Sequence, residues 1–270
     1  MITEAWVRVR ERPRHKLSCG VEFTDFAAAA EAVREISQSG LHPANCRLLD
    51  RLEAQTTGAG DGEHHLLVLG FESPGLEVDG PMRSAVEIAR EHGREPGEVR
   101  GGGSATSGSG ADSVSSWRSA FLAAPYIRDT FVACGVLSET FETAITWDRL
   151  ESFVSEVRAR AAAAVVEECG AGTVTCRLTH AYPDGAAAYF TVLAPARRGS
   201  ELSQWDAIKS AASEAVAASG GTITHHHAVG RDHRPWYDRQ RPEPFAAALT
   251  AAKAALDPAG VLNPGVLIDA

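Results

Sequence analysis

Along this chain, apolar and polar residues change period in a way that sets out most of its elements. "ITEAWVRVR" alternates, with Ile2, Ala5, Trp6, Val7 and Val9 among charges, and predicts a strand at the very start; "KLSCGVEF" predicts a second. Asp25 then stands where an N-cap is needed, Phe26, Ala29, Val33 and Ile36 recur at helical spacing, and Gly40 supplies a stop. "NCRLLD" and "HHLLVLGFES" predict two more strands, each followed by a helical stretch, the second being "PMRSAVEIAREHG". "SVSSWRSAFLAAPYIRDTFVACG" predicts a helix interrupted near Pro125, because proline lacks the N–H donor and clashes with the preceding turn.

In the second half, "LSETFETAITW" predicts a strand and "DRLESFVSEVRARAAAAVVEECG" a long helix. Asp148 and Glu151 stand at capping-box spacing, and Leu150, Phe153, Val154 and Val157 share a face. "TVTCRLTHAYPDGAAAYFTVLAP" predicts a hairpin turning at Pro-Asp-Gly. Three helical stretches follow: "SQWDAIKSAASEAVAASGG", a short piece after the histidines at 225–227, and "PFAAALTAAKAALDPAG" before the tail "VLNPGVLIDA". Strands and helices alternate around a hairpin, so the expected fold is α+β, an antiparallel or mixed sheet with helices on one face. Residues 101–112, "GGGSATSGSGAD", cannot bury apolar surface and read as a hinge, a mobile loop or a boundary. No internal repeat is strong enough to use.

Composition narrows the function classes. The chain has 270 residues, enough for one large domain or two small ones, and a net charge of −9 argues against nucleic-acid binding by the whole surface. Five cysteines without a CxxC pair fit reduced, buried thiols in a cytoplasmic protein. No apolar run reaches bilayer-spanning length, and the first residues lack the zones of a signal peptide.

The candidate chemistry centres on "THHHAVGRDHRPW". In an extended segment His225 and His227 would share a face and His226 point away; two ligands do not make a metal site, and no HExxH spacing supplies a third. A purification tag would sit at a terminus. The imidazoles either pack or face solvent without a role, or form the wall of a polar pocket able to carry protons near neutral pH. Arg47, Arg128 and Tyr189 stand in otherwise apolar segments, where an unpaired polar group is costly. "GGGSATSGSG" lacks the lysine-serine ending of a P-loop, and no GxSxG elbow occurs.

Taken in order, "ITEAWVRVR", "PANCRLLD", "WRSAFLAAPYIRD", "FETAITWDRL", "CRLTHAYPDGAAAYF", "GGTITHHHAVGRDHRPW" and "LDPAGVLNPG" resemble the C-terminal part of FAD-linked oxidases of the vanillyl-alcohol oxidase type, and within them the alkyldihydroxyacetonephosphate synthase family. The resemblance implies an antiparallel, ferredoxin-like sheet backed by helices. It implies residues 1–10 as the last strand of an FAD-binding domain, and 11–270 as a cap and C-terminal helical segment over the flavin.

It further implies FAD as cofactor, bound mainly by a domain outside this chain, and exchange of an acyl for an alkyl group on acyl-dihydroxyacetone phosphate through a bond to flavin N5. Tyr189 then corresponds to the acid/base residue, Arg128 and Arg47 to substrate-binding arginines, and His225, His226 and His227 to the activity-bearing run. His226, His227 and Asn263 fall near the flavin. The implied partners are a phosphate or carboxylate substrate with a lipid chain, peripheral membrane contact through that substrate, and a homodimer; nucleic acid is not among them. Ala228 and Val266 depart from the family's glycine and lysine. Two alternatives stay open: an FAD-dependent 2-hydroxy-acid dehydrogenase or oxidase, and a catalytically silent binding module.

Overall fold

A computed structural model describes residues 2–93, 99–101 and 113–269. The first strand, β1 (His15–Phe23), leads into α1 (Phe26–Gln38), whose N-terminus is capped as expected by Asp25, its carboxylate accepting from the Ala28 N–H. Then come β2 (Asn45–Leu49), α2 (Arg51–Thr56), β3 (His65–Ser73), α3 (Asp79–His92) and the two-residue β4 (Arg100–Gly101). After α4 (Ser113–Ala133) follow β5 (Val136–Thr146), α5 (Leu150–Cys169), the hairpin β6 (Thr173–Ala181) and β7 (Gly185–Pro195), α6 (Glu201–Ala218), α7 (Arg234–Gln240) and α8 (Glu243–Leu256). Residues 102–112 of the expected loop lie outside the described residues.

All strand pairs are antiparallel, in the order β4-β1-β3-β2-β6-β7-β5. This order contains a repeat that the sequence pattern did not disclose. Apart from the short α2, β1-α1-β2-β3-α3 and β5-α5-β6-β7-α6 are the same β-α-β-β-α unit, each with its third strand in the middle. The two units join through β2 and β6, where Leu48 pairs with Leu178 and Leu49 with Arg177. Two units laid edge to edge need one continuous core, and alternation provides it: Val21, Leu48, Leu67, Leu69, Leu178, Phe190 and Val192 all face one way. Against them pack Val33 and Ile36 of α1, Met82 and Ala85 of α3, Phe153 and Val157 of α5, and Ile208 and Ala212 of α6.

The other face is where the structure departs from helices on one side only. There α2 and α4 cover half of the sheet, Trp117 of α4 and Ala54 of α2 packing with Leu49, Leu66 and Val68. Three local expectations are corrected. Residues 2–12 form no strand, since among the described residues no strand edge pairs with them, and Trp6 is 93% exposed. α4 runs unbroken through Pro125: a proline inside a helix costs about 3 kcal/mol, which a 21-residue helix anchored by a buried tryptophan withstands. The Asp148–Glu151 capping box is absent; a 3-10 turn, Trp147–Arg149, leads into α5 and the Leu150 N–H bonds back to the Trp147 carbonyl instead.

Candidate active site on the open face of the sheet

The chemistry-bearing side chains gather on the face opposite α1, α3, α5 and α6. Register explains why. Leu49, Arg177, Tyr189 and Glu142 are successive partners across β2, β6, β7 and β5, so their side chains stand in one row. Arg47, two residues from Leu49 on β2, shares that face.

His180 joins them through an irregularity. Leu178 pairs with Ala188 and His180 with Ala187, leaving Thr179 as an extra residue in β6. In regular alternation His180 would point with Leu178 into the core; the bulge turns it to the open face.

The histidine triplet is not extended. The connection from α6 first lies along β5: the Thr222 N–H donates to the Ala144 carbonyl at 3.0 Å, and the His225 N–H to the Glu142 carbonyl at 3.1 Å. His226 then adopts a left-handed conformation (φ 57°), a costly one for a residue with a Cβ, and the turn is closed by a 2.7 Å bond from the His227 N–H to the His225 carbonyl. The Thr224 hydroxyl donates to the His227 carbonyl at 2.8 Å. This turn overturns the expectation that His225 and His227 pair on one face. His225 and His226 stack, 4.3 Å between ring centroids, and His226 meets His180 edge-on at 4.3 Å. His227 turns the other way and packs edge-on to Tyr189 at 5.5 Å.

Glu142 lies beneath the imidazoles, 4% exposed. Its Oε1 accepts from the Thr179 hydroxyl at 2.5 Å and lies 3.5 Å from His180 Nδ1; its Oε2 lies 4.0 Å from His227 Nε2. Ligating atoms of Glu142, His180 and His226 come within 4.8 Å of one another, a three-donor set that residue spacing did not reveal. Tyr182, at the hairpin tip, shares a 3.0 Å hydrogen bond between its hydroxyl and His225 Nε2, and both line a cleft of about 540 Å³ with Arg149 and Thr222. Burial holds the pKa values of His180 and His225 below the ordinary histidine value, with His226 pushing the same way and Glu142 partly opposing.

Two guanidiniums complete the group, in contrasting states. Arg177 is ion-paired to Glu53 and stands over Tyr189, Cζ 3.9 Å from the ring centroid. Arg47 has no carboxylate in ion-pair range among the described residues. Its Nε donates to the Thr179 carbonyl at 3.3 Å and its Cζ stands 4.7 Å from the Trp117 ring centroid. Burial lowers its pKa, and repulsion from Arg177 adds to this against the attraction of Glu142.

Of the residues expected here, Tyr189, Arg47, His225, His226 and His227 therefore meet. Arg128 does not join them: it is exposed on the second half of α4 and its side chain has no hydrogen-bond, ion-pair or ring partner among the described residues. Asn263 is an exposed turn residue (φ 46°) whose carbonyl accepts from the Val266 N–H. Glu142, His180, Tyr182 and Arg177 were missed. For Arg177 a signal existed: the tripeptide Cys-Arg-Leu occurs at 46–48 and again at 176–178, and the Leu48–Leu178 pairing relates Arg47 to Arg177 across the β2–β6 junction.

Comparison with known proteins places the fold in a family. Residues 12–267 match the family of FAD linked oxidases, C-terminal domain. Alkyldihydroxyacetonephosphate synthase from Trypanosoma brucei brucei is 24% identical over 294 residues, covering 99% of this chain and 46% of that protein. The synthase from Caenorhabditis elegans is 36% identical over 155 residues, covering 55% of this chain and 25% of its own. The chain thus spans less than half the length of these relatives. Among solved structures, an alkyldihydroxyacetonephosphate synthase superposes with a TM-score of 0.68 at 19% identity, over 94% of this chain and 45% of the other. A substrate-bound p-cresol methylhydroxylase superposes at 0.63 and 13% identity, over 95% and 53%. With the match running over nearly its whole length, this chain belongs to the FAD-linked oxidases, as an example of their C-terminal domain.

Proposed function

We propose that this chain is the substrate-binding part of an FAD-dependent enzyme that replaces the acyl group of an acyl-dihydroxyacetone phosphate with an alkoxy group, working together with an FAD-binding domain. The observation that carries the reading is the convergence of a phenol, imidazoles and an arginine without a carboxylate partner on one open sheet face. Similarity to alkyldihydroxyacetonephosphate synthases over 99% of the chain supports the substrate class.

The donor set suits a flavin and an anionic substrate. Arg47 would hold the phosphate, its planar fork matching the anion's oxygens. Burial disfavours the charged forms of His180 and His225, and a neutral imidazole can accept or donate a hydrogen bond without stranding a charge. His225, His226 and His227 would position substrate and flavin, and Tyr189 would move the proton of the substrate carbon.

FAD, when bound, would supply an electrophilic ring beside the substrate. In the exchange the bond from the substrate carbon to the acyl oxygen breaks and the fatty acid leaves as carboxylate; the alcohol oxygen forms the new bond to that carbon and its proton passes to solvent, so no electrons are gained or lost overall.

The test uses the flavin-loaded protein with an acyl-dihydroxyacetone phosphate and a fatty alcohol. Fatty acid release with alkyl product, and a flavin that ends oxidised, is the expected result; Tyr189→Phe should lower turnover by on the order of 10²-fold or more while flavin stays bound. Flavin reduction on adding a 2-hydroxy acid would replace this reading with that of a dehydrogenase or oxidase. Turnover of neither substrate would leave a binding module.

A further inference from the structure

We propose that Arg177, braced by Glu53, is a positioning residue for Tyr189; the inference rests on the reading of Tyr189 as the proton-moving group. Arg177 and Tyr189 are direct cross-strand partners in β6 and β7, with the guanidinium carbon 3.9 Å from the phenol centroid. The ring also meets the His227 imidazole edge-on at 5.5 Å, and Glu142 is the cross-strand partner of Tyr189 on the other side, in β5. A phenol bounded in this way has its direction set by its neighbours rather than by its own side-chain torsions.

Arg177 is itself immobilised. Its Nη1 bonds to Glu53 Oε1, while Glu53 Oε2 accepts from the Thr175 hydroxyl, and Glu53 is 4% exposed. Glu53 stands in the first turn of α2, whose cap Asp50 accepts from the Glu53 N–H at 2.7 Å and from the Cys176 N–H at 2.6 Å. The brace thus runs from the helix cap through a buried carboxylate to a cation lying on the phenol.

Comparison with Arg47 sharpens the assignment. The two arginines occupy corresponding Cys-Arg-Leu positions, yet among the described residues only Arg177 has a carboxylate partner. A guanidinium neutralised by Glu53 and stacked on a ring is poorly placed to draw in an anion. It is well placed to favour negative charge building on the phenol as its proton leaves, because a cation over an aromatic face interacts with the whole π system.

The experiment is a double-mutant cycle in the flavin-loaded protein, with Arg177→Met, Arg177→Lys, Glu53→Gln, Tyr189→Phe and the Arg177→Met/Tyr189→Phe pair. Arg177→Met should lower kcat by on the order of 10–100-fold with KM little changed, Arg177→Lys should recover part of the loss, and Arg177→Met should cost nothing further in the Tyr189→Phe background. If Arg177→Met does not fold, Glu53→Gln carries the same expectation, since it frees the guanidinium while keeping its charge. A loss confined to KM would make Arg177 a substrate ligand and overturn the proposal, as would losses that multiply in the double variant.

Wild-type turnover by Tyr189→Phe would overturn the functional reading and this inference together; impaired Tyr189→Phe with multiplying losses overturns this inference alone. In the 270-residue chain, NMR of ring-labelled tyrosine reads the contact without any turnover. Arg177→Met should move the Tyr189 signal and leave Tyr126, Tyr182 and Tyr237 in place, and an unmoved Tyr189 signal overturns the contact.

Discussion

His233 shows at the scale of one side chain how burial governs the ionisable groups of this protein. It is 8% exposed, its Nδ1 lies 3.1 Å from the Ala228 carbonyl, and burial, reinforced by the charge of Lys209, holds its pKa below the usual 6.5. His65, His180 and His225 are shifted the same way, burial being the first cause in each. A histidine with a depressed folded pKa binds fewer protons folded than unfolded, so its stabilising contribution is complete above the unfolded value near 6.5 and is lost as pH falls through the folded value. The melting temperature should therefore be level above about pH 7 and decline on acidification below roughly 6.5. His233→Gln should flatten that decline; an unchanged slope in a pH series of thermal melts would show that His233 does not take part. The same scale explains which site residues could be named from sequence. Tyr189, Arg47 and the triplet carry polar chemistry inside apolar or repetitive surroundings, so they stand out. His180 does not, because its exposure to the site depends on one extra residue in β6 that no alternation pattern announces.

Among the elements, the joint between the two repeated units is narrow, because β2 and β6 share only two residue pairs. Asp50 reinforces it. The Asp50 N–H donates to the Cys176 carbonyl at 3.0 Å, its Oδ2 accepts from the Cys176 N–H and lies 2.7 Å from Arg158 Nη2, and its Oδ1 caps α2. One carboxylate thus extends the β2–β6 ladder, starts a helix and reaches α5. Asp50→Ala should leave two buried N–H groups unsatisfied and destabilise the fold by about 2–3 kcal/mol, seen as a lower urea midpoint with an unchanged m-value. A loss under 1 kcal/mol would mean that water replaces the carboxylate. Element positions were mostly legible, because helical and alternating periods are local. The misread ones depended on non-local partners: residues 2–10 have the pattern of a strand, with no edge to join among the described residues, and α4 passes Pro125 with Trp117 anchored under the sheet.

For the whole molecule, the site is an open face rather than an enclosed pocket, and in this family a flavin accompanies the domain. None of the described helices is long and apolar enough to cross a membrane. With Arg177 committed to Glu53 and burial disfavouring the charged forms of His180 and His225, few cations among the described residues of the open face are left to attract an anion, Arg47 foremost, too little to retain a dinucleotide tightly. Titration of FAD into the 270-residue chain should show no submicromolar binding by flavin fluorescence, and tight binding would contradict the view that a second domain supplies most of the flavin contacts. What the sequence determined by itself was most of the elements, the α+β class and the chemical types at the site, since periodicity, turn residues and motif order are written along the chain. Only the tertiary structure decided that the sheet is two like units joined at β2 and β6, that a bulge presents His180, that a left-handed His226 parts the triplet, and that Arg128 stays outside the cluster while Arg177 enters it. Those outcomes depend on register and on contacts between residues as far as 132 positions apart in the chain, and such pairings acquire their energy only when the strands are side by side.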